Sequence, residues 1–397
     1  MTPAARLQSV IEILGTATAQ PLDRQLKAWF RDRRFAGSKD RRAITERVYT
    51  IFRRHAHFVH RMAGDAPRSL AIAALLAEGE DPEAFFTGGY GPAPLTDAER
   101  AVIAAAPSSA PAWVEGEYPH WLEPDLIRAF GDRLPEEMAG LQQRAPVDLR
   151  VNTLKAGRDD VLTALRGDGF DGVPLEDLPD AIRCQPGAAL TAHPLYEAGA
   201  FEIQDASAQK AVALCDVQPG MRVLDLAAGA GGKALALAAA MRNEGEIVAC
   251  DIRGAALVEL DRRALRAGAS NIRTYLLGMP LADEALARPF DVVLLDAPCS
   301  GSGTWRRQPE LKWRLTPERL AQLTGIQDEL LARAAIATRP KGRLVYATCS
   351  VLPRENQERV EAFLSINPAF ARAQPDFHAS PAASGGDGFY AAVLIRN

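Results

Sequence analysis

The chain has 397 residues and a mass of 42.8 kDa, a length that predicts two or three domains rather than one core. Hydrophobic residues make up 47% and charged residues 24%, with a net charge of −4, which is ordinary for a globular protein and excludes wholesale disorder. We find no apolar run of the roughly 18–20 residues that a membrane-spanning helix needs, no secretory signal and no CxxC pair among the five cysteines, so we expect a cytoplasmic protein with no membrane and no metal.

The first 106 residues have the periodicity of helices. Apolar side chains recur at helical spacing over residues 4–62, and further helices are predicted at 70–86 and 96–106. The stretch PSSAP at 107–111 is a candidate linker. We therefore expect an all-helical domain over residues 1–106.

A basic cluster lies inside this helical region. Residues 24–61 contain twelve Arg or Lys and only three acidic residues, a local net charge of +9. Such a cluster can neutralise phosphates and predicts nucleic-acid binding, although a solvated helical face has the same composition. The candidate RNA-binding residues here are Arg31, Arg33, Arg34, Arg41 and Arg42.

Residues 112–200 have a mixed pattern, which predicts a small α+β connecting domain. The predicted elements are helices at 123–131, 135–143 and 159–167 and strands at Val147–Val151 and Leu190–Leu195.

Residues 201–397 alternate regularly between apolar, strand-like runs and helical segments. This alternation predicts a doubly wound parallel sheet of the Rossmann-like α/β class. The predicted strands are Val223–Ala228, Ile247–Asp251, Ile272–Leu277, Phe290–Asp296, Arg343–Thr348 and Phe389–Ile395, and the predicted helices are 233–242, 255–267, 283–287, 318–338 and 354–365.

Ligands of an open α/β sheet collect at the carboxyl ends of its strands, so the residues there are candidate ligand-binding positions. The first strand of this region is followed by the glycine-rich loop 225–233, and the second ends in Asp251, an acid that can hold ribose hydroxyls. The loop satisfies the dinucleotide pattern but fails as a phosphate-binding Walker loop, because Ala227 and Ala234 replace required residues. The loop alone leaves three interpretations open: it could bind S-adenosylmethionine, it could bind NAD, or it could be a structural turn.

The fourth and fifth strands of this region each lead into a cysteine. Cys299 follows in D-A-P-C-S and Cys349 in A-T-C-S, with Asp296 three residues before the first cysteine. A single cysteine is more often an inert buried residue, but a pair at neighbouring strand ends beside a ligand crevice indicates chemistry.

Four motifs resemble one family, the bacterial 16S ribosomal RNA cytosine-C5 methyltransferases. They are QDASAQ at 204–209, DAPCSGSG at 296–303, YATCSVLPRENQE at 346–358 and GDGFYAAVLI at 386–395. The resemblance covers roughly residues 112–397. It implies formation of 5-methylcytosine in 16S ribosomal RNA from S-adenosylmethionine, a Rossmann-like catalytic domain over 201–397, a connecting domain over 112–200 and a NusB-like helical domain over 1–106.

The resemblance also implies roles for individual residues. Cys349 would be the nucleophile that adds to cytosine C6, Cys299 would assist product release, Asp296 would hydrogen-bond the N3/N4 edge of the base, and Lys233 would approach the base or the cofactor. The implied cofactor-binding residues are Ala227, Ala228, Gly229, Ala230, Gly231, Gly232, Lys233, Asp251, Met279 and Asp296. Met279 stands where the family places an aspartate near the adenine.

The basic run after the first cysteine motif is a further candidate for RNA contact, although a solvated loop would look the same. Its members are Arg306, Arg307, Lys312 and Arg314. We expect a monomer with ribosomal RNA as its partner. Three alternatives stay open: a nicotinamide-dependent oxidoreductase, which gives neither cysteine a task; a non-catalytic RNA-binding ribosome-assembly factor; and a DNA cytosine methyltransferase, in which Cys299 would be the nucleophile.

Overall fold

A computed structural model describes residues 1–16, 21–105 and 108–397. These residues divide into two compact units. Unit 1 comprises Met1–Ile127, Asp132–Gln142 and Trp305–Arg314, and unit 2 comprises Arg128–Gly131, Gln143–Thr304 and Leu315–Asn397. Within the described ranges, no helix is both long enough and apolar enough to cross a bilayer.

Unit 1 is built from helices, as the periodicity predicts. Its apolar stripes form one core, in which Leu7, Val10, Ile44 and Val48 are at most 1% exposed. The helices are Pro3–Gly15, Leu22–Asp32, Ser38–Arg53, His55–Met62, Pro67–Ala77, Asp97–Ala104, Ala112–Glu115, Glu123–Phe130, Leu134–Gln142 and Glu310–Arg314, the eighth ending in residues that belong to unit 2. The predicted helix at 70–86 ends at Ala77 and is followed by a separate 3₁₀ turn, Pro82–Ala84.

One short segment joins unit 1 from far along the sequence. Two hydrogen bonds anchor Trp305–Arg314. The Glu310 carboxylate accepts a hydrogen bond from the Leu22 amide (3.0 Å), and the Trp313 indole donates one to the Phe52 carbonyl (2.7 Å). Both bonds satisfy groups that would otherwise be costly to bury. Sequence periodicity gives no sign of this placement, because the segment is surrounded in sequence by residues of unit 2.

Unit 2 begins with a small antiparallel sheet in the order β2-β3-β1-β4. Its strands are β1 (Val147–Val151), β2 (Gly172–Pro174), β3 (Ala181–Cys184) and β4 (Phe201–Ile203). The predicted β1 is confirmed. The predicted strand Leu190–Leu195 is wrong: a 3₁₀ turn at Leu190–Ala192 is followed by the helix Pro194–Glu197, because Pro194 cannot donate to a ladder and suits a first helical turn.

The rest of unit 2 is organised by an eight-stranded sheet in the order β10-β12-β9-β8-β5-β6-β7, with β11 paired to β12. Strands β5 to β9 run parallel, and β10 to β12 are antiparallel additions. The strands are β5 (Arg222–Asp225), β6 (Glu246–Asp251), β7 (Ile272–Leu276), β8 (Phe290–Asp296), β9 (Thr338–Thr348), β10 (Phe370–Arg372), β11 (Phe377–Ala379) and β12 (Phe389–Arg396). The predicted doubly wound α/β fold is confirmed.

Helices cover both faces of this sheet. Gly232–Ala240 and Gly254–Ala267 pack on one face, and Pro317–Ala337 and Gln357–Ile366 pack on the other. The remaining helices of unit 2 are Arg158–Gly167, Ala206–Ala213, Pro280–Leu286 and Pro381–Ser384. Because both faces are covered, the central strands are nearly continuous runs of buried apolar residues.

The structure divides into two compact units, and the predicted division into three domains remains a prediction. The predicted end of the first domain at residue 106 and the first residue of the predicted linker, 107, lie outside the described residues. The chain order places the switch point between β5 and β8, since β6 and β7 lie on one side of this pair and β9 on the other. The crevice at the carboxyl ends of β5 and β8 is therefore where a ligand is expected.

Candidate active site

The glycine loop after β5 lies at this crevice. Gly231 has φ +83° and precedes the helix Gly232–Ala240. A Cβ at Gly231 would lie 2.4 Å from Cγ of Leu260, so the position requires glycine for both its backbone angle and its space. The amide of Gly229 donates to Oδ2 of Asp251 (2.8 Å), which ties the loop to the end of β6.

Two arginines hold the carbonyl groups of the same loop. Arg150 of β1 donates to the Gly232 carbonyl (2.7 Å), and Arg263 donates to the Ala230 carbonyl (2.6 Å). Arg263 is in turn paired with the buried Glu202 (2.7 Å). Sequence reasoning missed these residues; the one available signal is a charged residue inside the apolar strand Leu149-Arg150-Val151.

Asp251 is buried at the end of β6 and is also held by Arg253. The Arg253 amide lies 2.8 Å from Oδ1, and its guanidinium reaches both carboxylate oxygens at 3.0 Å. Burial opposes ionisation, but the hydrogen bonds from Arg253 and Gly229 outweigh it and lower the pKa of Asp251. The predicted ribose-binding acid is thus kept charged at the edge of the crevice.

Asp225, at the end of β5, was not singled out from the sequence. It is fully buried, and among the described residues neither carboxylate oxygen makes a well-formed hydrogen bond, although the Ala227 amide lies near enough to lower its pKa slightly. Burial, with the nearby charge of Asp296, raises the pKa of Asp225 to about 7. A buried carboxylate without donors that faces a cavity is a position where a ligand can supply them.

Lys233 and Asp296 form an ion pair across the crevice. Nζ of Lys233 lies 2.5 Å from Oδ2 of Asp296, bringing together the first turn of the helix after β5 and the end of β8. Burial alone would lower the pKa of Lys233, but the Asp296 charge and hydrogen bond reverse the shift and raise it. The pair therefore presents a charged donor and a charged acceptor side by side.

The two predicted cysteines lie next to each other. β8 and β9 are parallel neighbours, and the sulfurs of Cys299 and Cys349 are 3.3 Å apart. Both side chains are half-buried. The hydrogen bond to Cys349, together with burial, holds the pKa of the Cys299 thiol well above its usual value.

A network of buried hydrogen bonds fixes the loop that carries Cys299. The Glu355 carboxylate accepts the Ser300 amide (2.8 Å), the Ser300 hydroxyl (2.5 Å) and Nε2 of Gln327 (3.1 Å). The same Gln327 nitrogen donates to the Pro298 carbonyl (2.9 Å). Residues on both sides of Cys299 are thus held by two side chains that the motifs did not identify as functional.

The loops after β8 and β9 are also tied directly to each other. The hydroxyl oxygens of Ser302 and Ser350 lie 2.9 Å apart, and the amide of Gly303 donates to the Cys349 carbonyl (3.0 Å). Because these bonds link the two cysteine loops, the short distance between the sulfurs is set by the backbone and not by the side-chain rotamers alone.

One cavity of about 890 Å³ connects these groups. It is lined by the glycine loop at one end, by Asp251, Ile252 and Leu277 on the β6–β7 side, and by Asp296, Cys299 and Cys349 near the ion pair. Of the predicted cofactor-binding residues, those that line the cavity are Ala227, Ala228, Gly229, Ala230, Gly232, Lys233, Asp251 and Asp296. Gly231 and Met279 are not among the lining residues, and Met279 is 51% exposed.

The predicted RNA-binding residues fall into two groups. Arg31, Arg34, Arg41 and Arg42 are exposed and Arg33 is half-buried, as an RNA-facing cluster requires. In the run after Cys299, Arg306 and Lys312 are only 4% and 2% exposed. The prediction that these two side chains contact RNA is therefore wrong, because both are buried in the folded chain. The reason is that Trp305–Arg314 is an integral part of unit 1; Arg307 and Arg314 are half-buried in the same segment.

Comparison with known proteins gives two matches to family models. Residues 212–395 match the family described as 16S rRNA methyltransferase RsmB/F, and residues 118–190 match the RsmF/B-like ferredoxin-like domain. A protein named ribosomal RNA small subunit methyltransferase B, from Salmonella arizonae, is 37% identical over 285 residues. The aligned region covers 70% of this chain, and the chain spans 66% of the length of that relative.

Two solved structures share the fold. The crystal structure of PH0851 has a TM-score of 0.79 at 23% identity and covers 99% of both chains. The structure of NSun6 from Pyrococcus horikoshii with SFG has a TM-score of 0.63 at 19% identity and covers 70% of this chain and 98% of its own. The two family models together match more than half of the sequence, and the Salmonella arizonae relative agrees with them. The chain belongs to the RsmB/F methyltransferase family.

Proposed function

We propose that this protein is an S-adenosylmethionine-dependent RNA methyltransferase that forms 5-methylcytosine in small-subunit ribosomal RNA. The observation that carries the proposal is the pair of sulfurs 3.3 Å apart beside the Lys233–Asp296 ion pair, in one cavity with the glycine loop. Family membership and the name of the Salmonella relative support the reaction and the substrate. An enzyme that modifies ribosomal RNA would work in the cytoplasm, and we expect it to act as a monomer.

The residues around the cavity fit S-adenosylmethionine. Asp251 is a charged acceptor suited to ribose hydroxyls, the loop 227–232 offers backbone groups at a helix N-terminus, and Asp225 needs the donors that an ammonium group carries. SFG, bound in the NSun6 structure, is an analogue of this cofactor. When bound, S-adenosylmethionine supplies an electrophilic methyl group. We expect S-adenosylhomocysteine, and not NADH, to raise the melting temperature of the protein.

The reaction needs a nucleophile because cytosine C5 reacts poorly with electrophiles. In the proposed mechanism the thiolate of Cys349 adds to C6, and the ring electrons then make C5 nucleophilic. Asp296 hydrogen-bonds the N3/N4 edge and favours its protonation as the thiolate adds, while Lys233 holds Asp296 in position (2.5 Å). Once C5 had taken the methyl group, with the cofactor left as its thioether, a base would remove the C5 proton, and the electron pair of that C–H bond would re-form the ring double bond and expel the Cys349 thiolate from C6.

Cys299 is assigned to this last stage, the release of the product. Its sulfur lies 3.3 Å from that of Cys349, close enough to transfer a proton to or from the sulfur that must leave. The DNA-methyltransferase alternative, in which the first cysteine would attack, is separated from this assignment by single substitutions of the two cysteines. The target base has to leave its stack to reach the cavity, so an unpaired RNA segment is the expected substrate form.

Single cysteine substitutions test the proposal on unmodified 16S ribosomal RNA with labelled S-adenosylmethionine. We expect Cys349→Ala to abolish methyl transfer, and Cys299→Ala to accumulate a covalent RNA adduct that migrates slowly on a denaturing gel. Cys184→Ala, at a buried cysteine of the small sheet, is the control and keeps methyl transfer. Full turnover by Cys349→Ala would exclude the nucleophile assignment, and RNA binding by the wild type with neither transfer nor adduct would favour the assembly-factor alternative.

A further inference from the structure

An exposed aromatic side chain projects from the basic cluster of unit 1. Phe35 lies between the helices Leu22–Asp32 and Ser38–Arg53, and it is 69% exposed. An exposed phenylalanine does not stabilise the fold, because its ring is not buried. A flat apolar ring among cations is, however, a surface on which a nucleobase can stack. Neither the catalytic site nor the core of unit 1 explains its position.

The arginines around Phe35 are held in place by aromatic rings beneath them. The Arg33 guanidinium lies 4.2 Å from the ring centre of Trp29, and Arg41 lies 5.5 Å from that of Phe30 while its Nε donates to the Ala36 carbonyl (2.8 Å). Both rings are less than 9% exposed. Because the guanidinium groups are already ordered, less side-chain entropy is lost when they bind an anion.

The acidic residues near this surface do not neutralise it. Arg33 pairs with Glu12 at 3.6 Å, Arg31 with Asp32 at 3.7 Å and Lys27 with Asp23 at 3.8 Å. All three distances are long, and the first pair is half-exposed and the other two are largely exposed, so these pairs contribute little and can give way to a phosphate. The exposed cations within ten residues of Phe35 are Lys27, Arg31, Arg34, Lys39, Arg41 and Arg42. The surface therefore combines one free aromatic face with several phosphate-binding groups.

We propose that residues 31–42 bind single-stranded RNA, with one unpaired base stacked on Phe35 and the neighbouring phosphates held by the surrounding arginines. This inference rests on the proposed function and specifies the form of RNA that unit 1 recognises. A duplex would satisfy the arginines equally well, but its bases are stacked inside the helix and cannot cover an isolated ring. The ring therefore favours an unpaired strand over a duplex, and the charge favours RNA over an acidic or neutral protein surface.

The test measures equilibrium RNA binding by the full chain without cofactor, using fluorescence anisotropy. The probes are a short unstructured pyrimidine oligoribonucleotide and an RNA duplex of the same length. We expect Phe35→Ala to weaken binding of the single strand about 5- to 150-fold, the range seen for the loss of one base–aromatic stack, and to leave duplex binding unchanged. Phe35→Tyr keeps the ring and is expected to keep the affinity.

Tyr90 provides a matched control, because it is an aromatic residue of the same unit that is 92% exposed and lies outside the basic cluster. Tyr90→Ala is expected to change neither affinity. Removal of a charge should have a different effect. Arg34→Ala is expected to weaken the binding of both RNA probes and to reduce the salt dependence of the affinity, while Phe35→Ala leaves that salt dependence unchanged.

Three results would overturn the inference: unchanged single-strand affinity in Phe35→Ala, an equal loss for strand and duplex, or displacement of the strand by an acidic peptide as effective as unlabelled RNA. Failure here is separable from failure of the proposed function. The binding assay uses neither cysteine nor cofactor, so a protein whose Cys349→Ala variant still methylates RNA can give the expected binding result, and an active methyltransferase can fail it.

Discussion

Removal of the Glu355 carboxylate would show how firmly the Cys299 loop is held. Glu355 is fully buried, and its three bonds come from uncharged donors on Ser300 and Gln327. In Glu355→Ala the Ser300 amide loses its acceptor, whereas Gln327 keeps the Pro298 carbonyl. A buried donor without a partner costs about 1–3 kcal/mol, and the space left by the side chain adds roughly 1–2 kcal/mol. We therefore expect a loss of about 2–5 kcal/mol in the free energy of unfolding.

Glu355→Gln separates shape from hydrogen bonding. The amide keeps the volume and one acceptor oxygen, but its nitrogen faces a donor, so we expect a smaller loss of about 1–2 kcal/mol. Urea unfolding measures both values. Glu361→Ala, at an exposed glutamate of the helix Gln357–Ile366, is the control and should stay within about 0.5 kcal/mol of the wild type.

The same variants make a chemical prediction about Cys299. The nearby Glu355 charge contributes to the raised pKa of this thiol, after the Cys349 hydrogen bond and burial. Both substitutions remove that charge and loosen the loop, so iodoacetamide should label Cys299 faster than in the wild type, as followed by mass spectrometry. Unchanged labelling together with a loss below about 0.5 kcal/mol in Glu355→Ala would refute the role of this network.

Two further predictions follow from buried groups near the site. The pKa of Asp225 is raised to about 7, so the folded protein keeps a proton that the unfolded chain releases near pH 4. The stability that this proton contributes, at most roughly 4 kcal/mol, is therefore fully present below pH 4 and is lost as pH rises through 7. Urea unfolding at pH 5 and pH 8 should show the part of this loss that falls between pH 5 and 7, roughly 3 kcal/mol, in the wild type and a smaller loss in Asp225→Asn; equal losses would contradict the assignment. Gly303→Ala would place a Cβ 1.9 Å from the Gly388 carbonyl oxygen, a backbone atom that cannot rotate away, so we expect a loss of at least about 3 kcal/mol. Gly325→Ala, in open space on a helix, should instead stabilise by about 0.5–1 kcal/mol, and a loss at this control would point to helix disruption rather than a clash.

Sequence reasoning predicted the parts of the site that follow from strand order. The central strands are long apolar runs, and Phe290–Asp296 has the predicted bounds. Residues that follow neighbouring parallel strands must meet at one edge, which is why the closeness of Cys299 and Cys349 could be expected before the structure was known. The same logic correctly put the glycine loop and Asp251 at that edge.

The residues that sequence reasoning missed act across long stretches of chain. Arg150 reaches a carbonyl 82 residues away, and Glu355 binds an amide 55 residues away, contacts that no local pattern encodes. The strands β2, β3 and β4 have only three or four residues each, too few to establish a period of two. Met279 was assigned by its place after β7, but the chain turns there and leaves the side chain exposed.

Trp305–Arg314 gives the protein a discontinuous architecture with a practical consequence. Unit 1 is assembled from three stretches of sequence, and the last of them lies beyond most of unit 2. A fragment that stops at Ile127 would lack the Trp313 indole, which donates to the Phe52 carbonyl, and the Glu310 carboxylate, which accepts from the Leu22 amide. These two backbone groups would lose their partners. Expression of either half alone should yield aggregation-prone material. A circularly permuted or split gene would have to carry this ten-residue piece along with the amino-terminal helices.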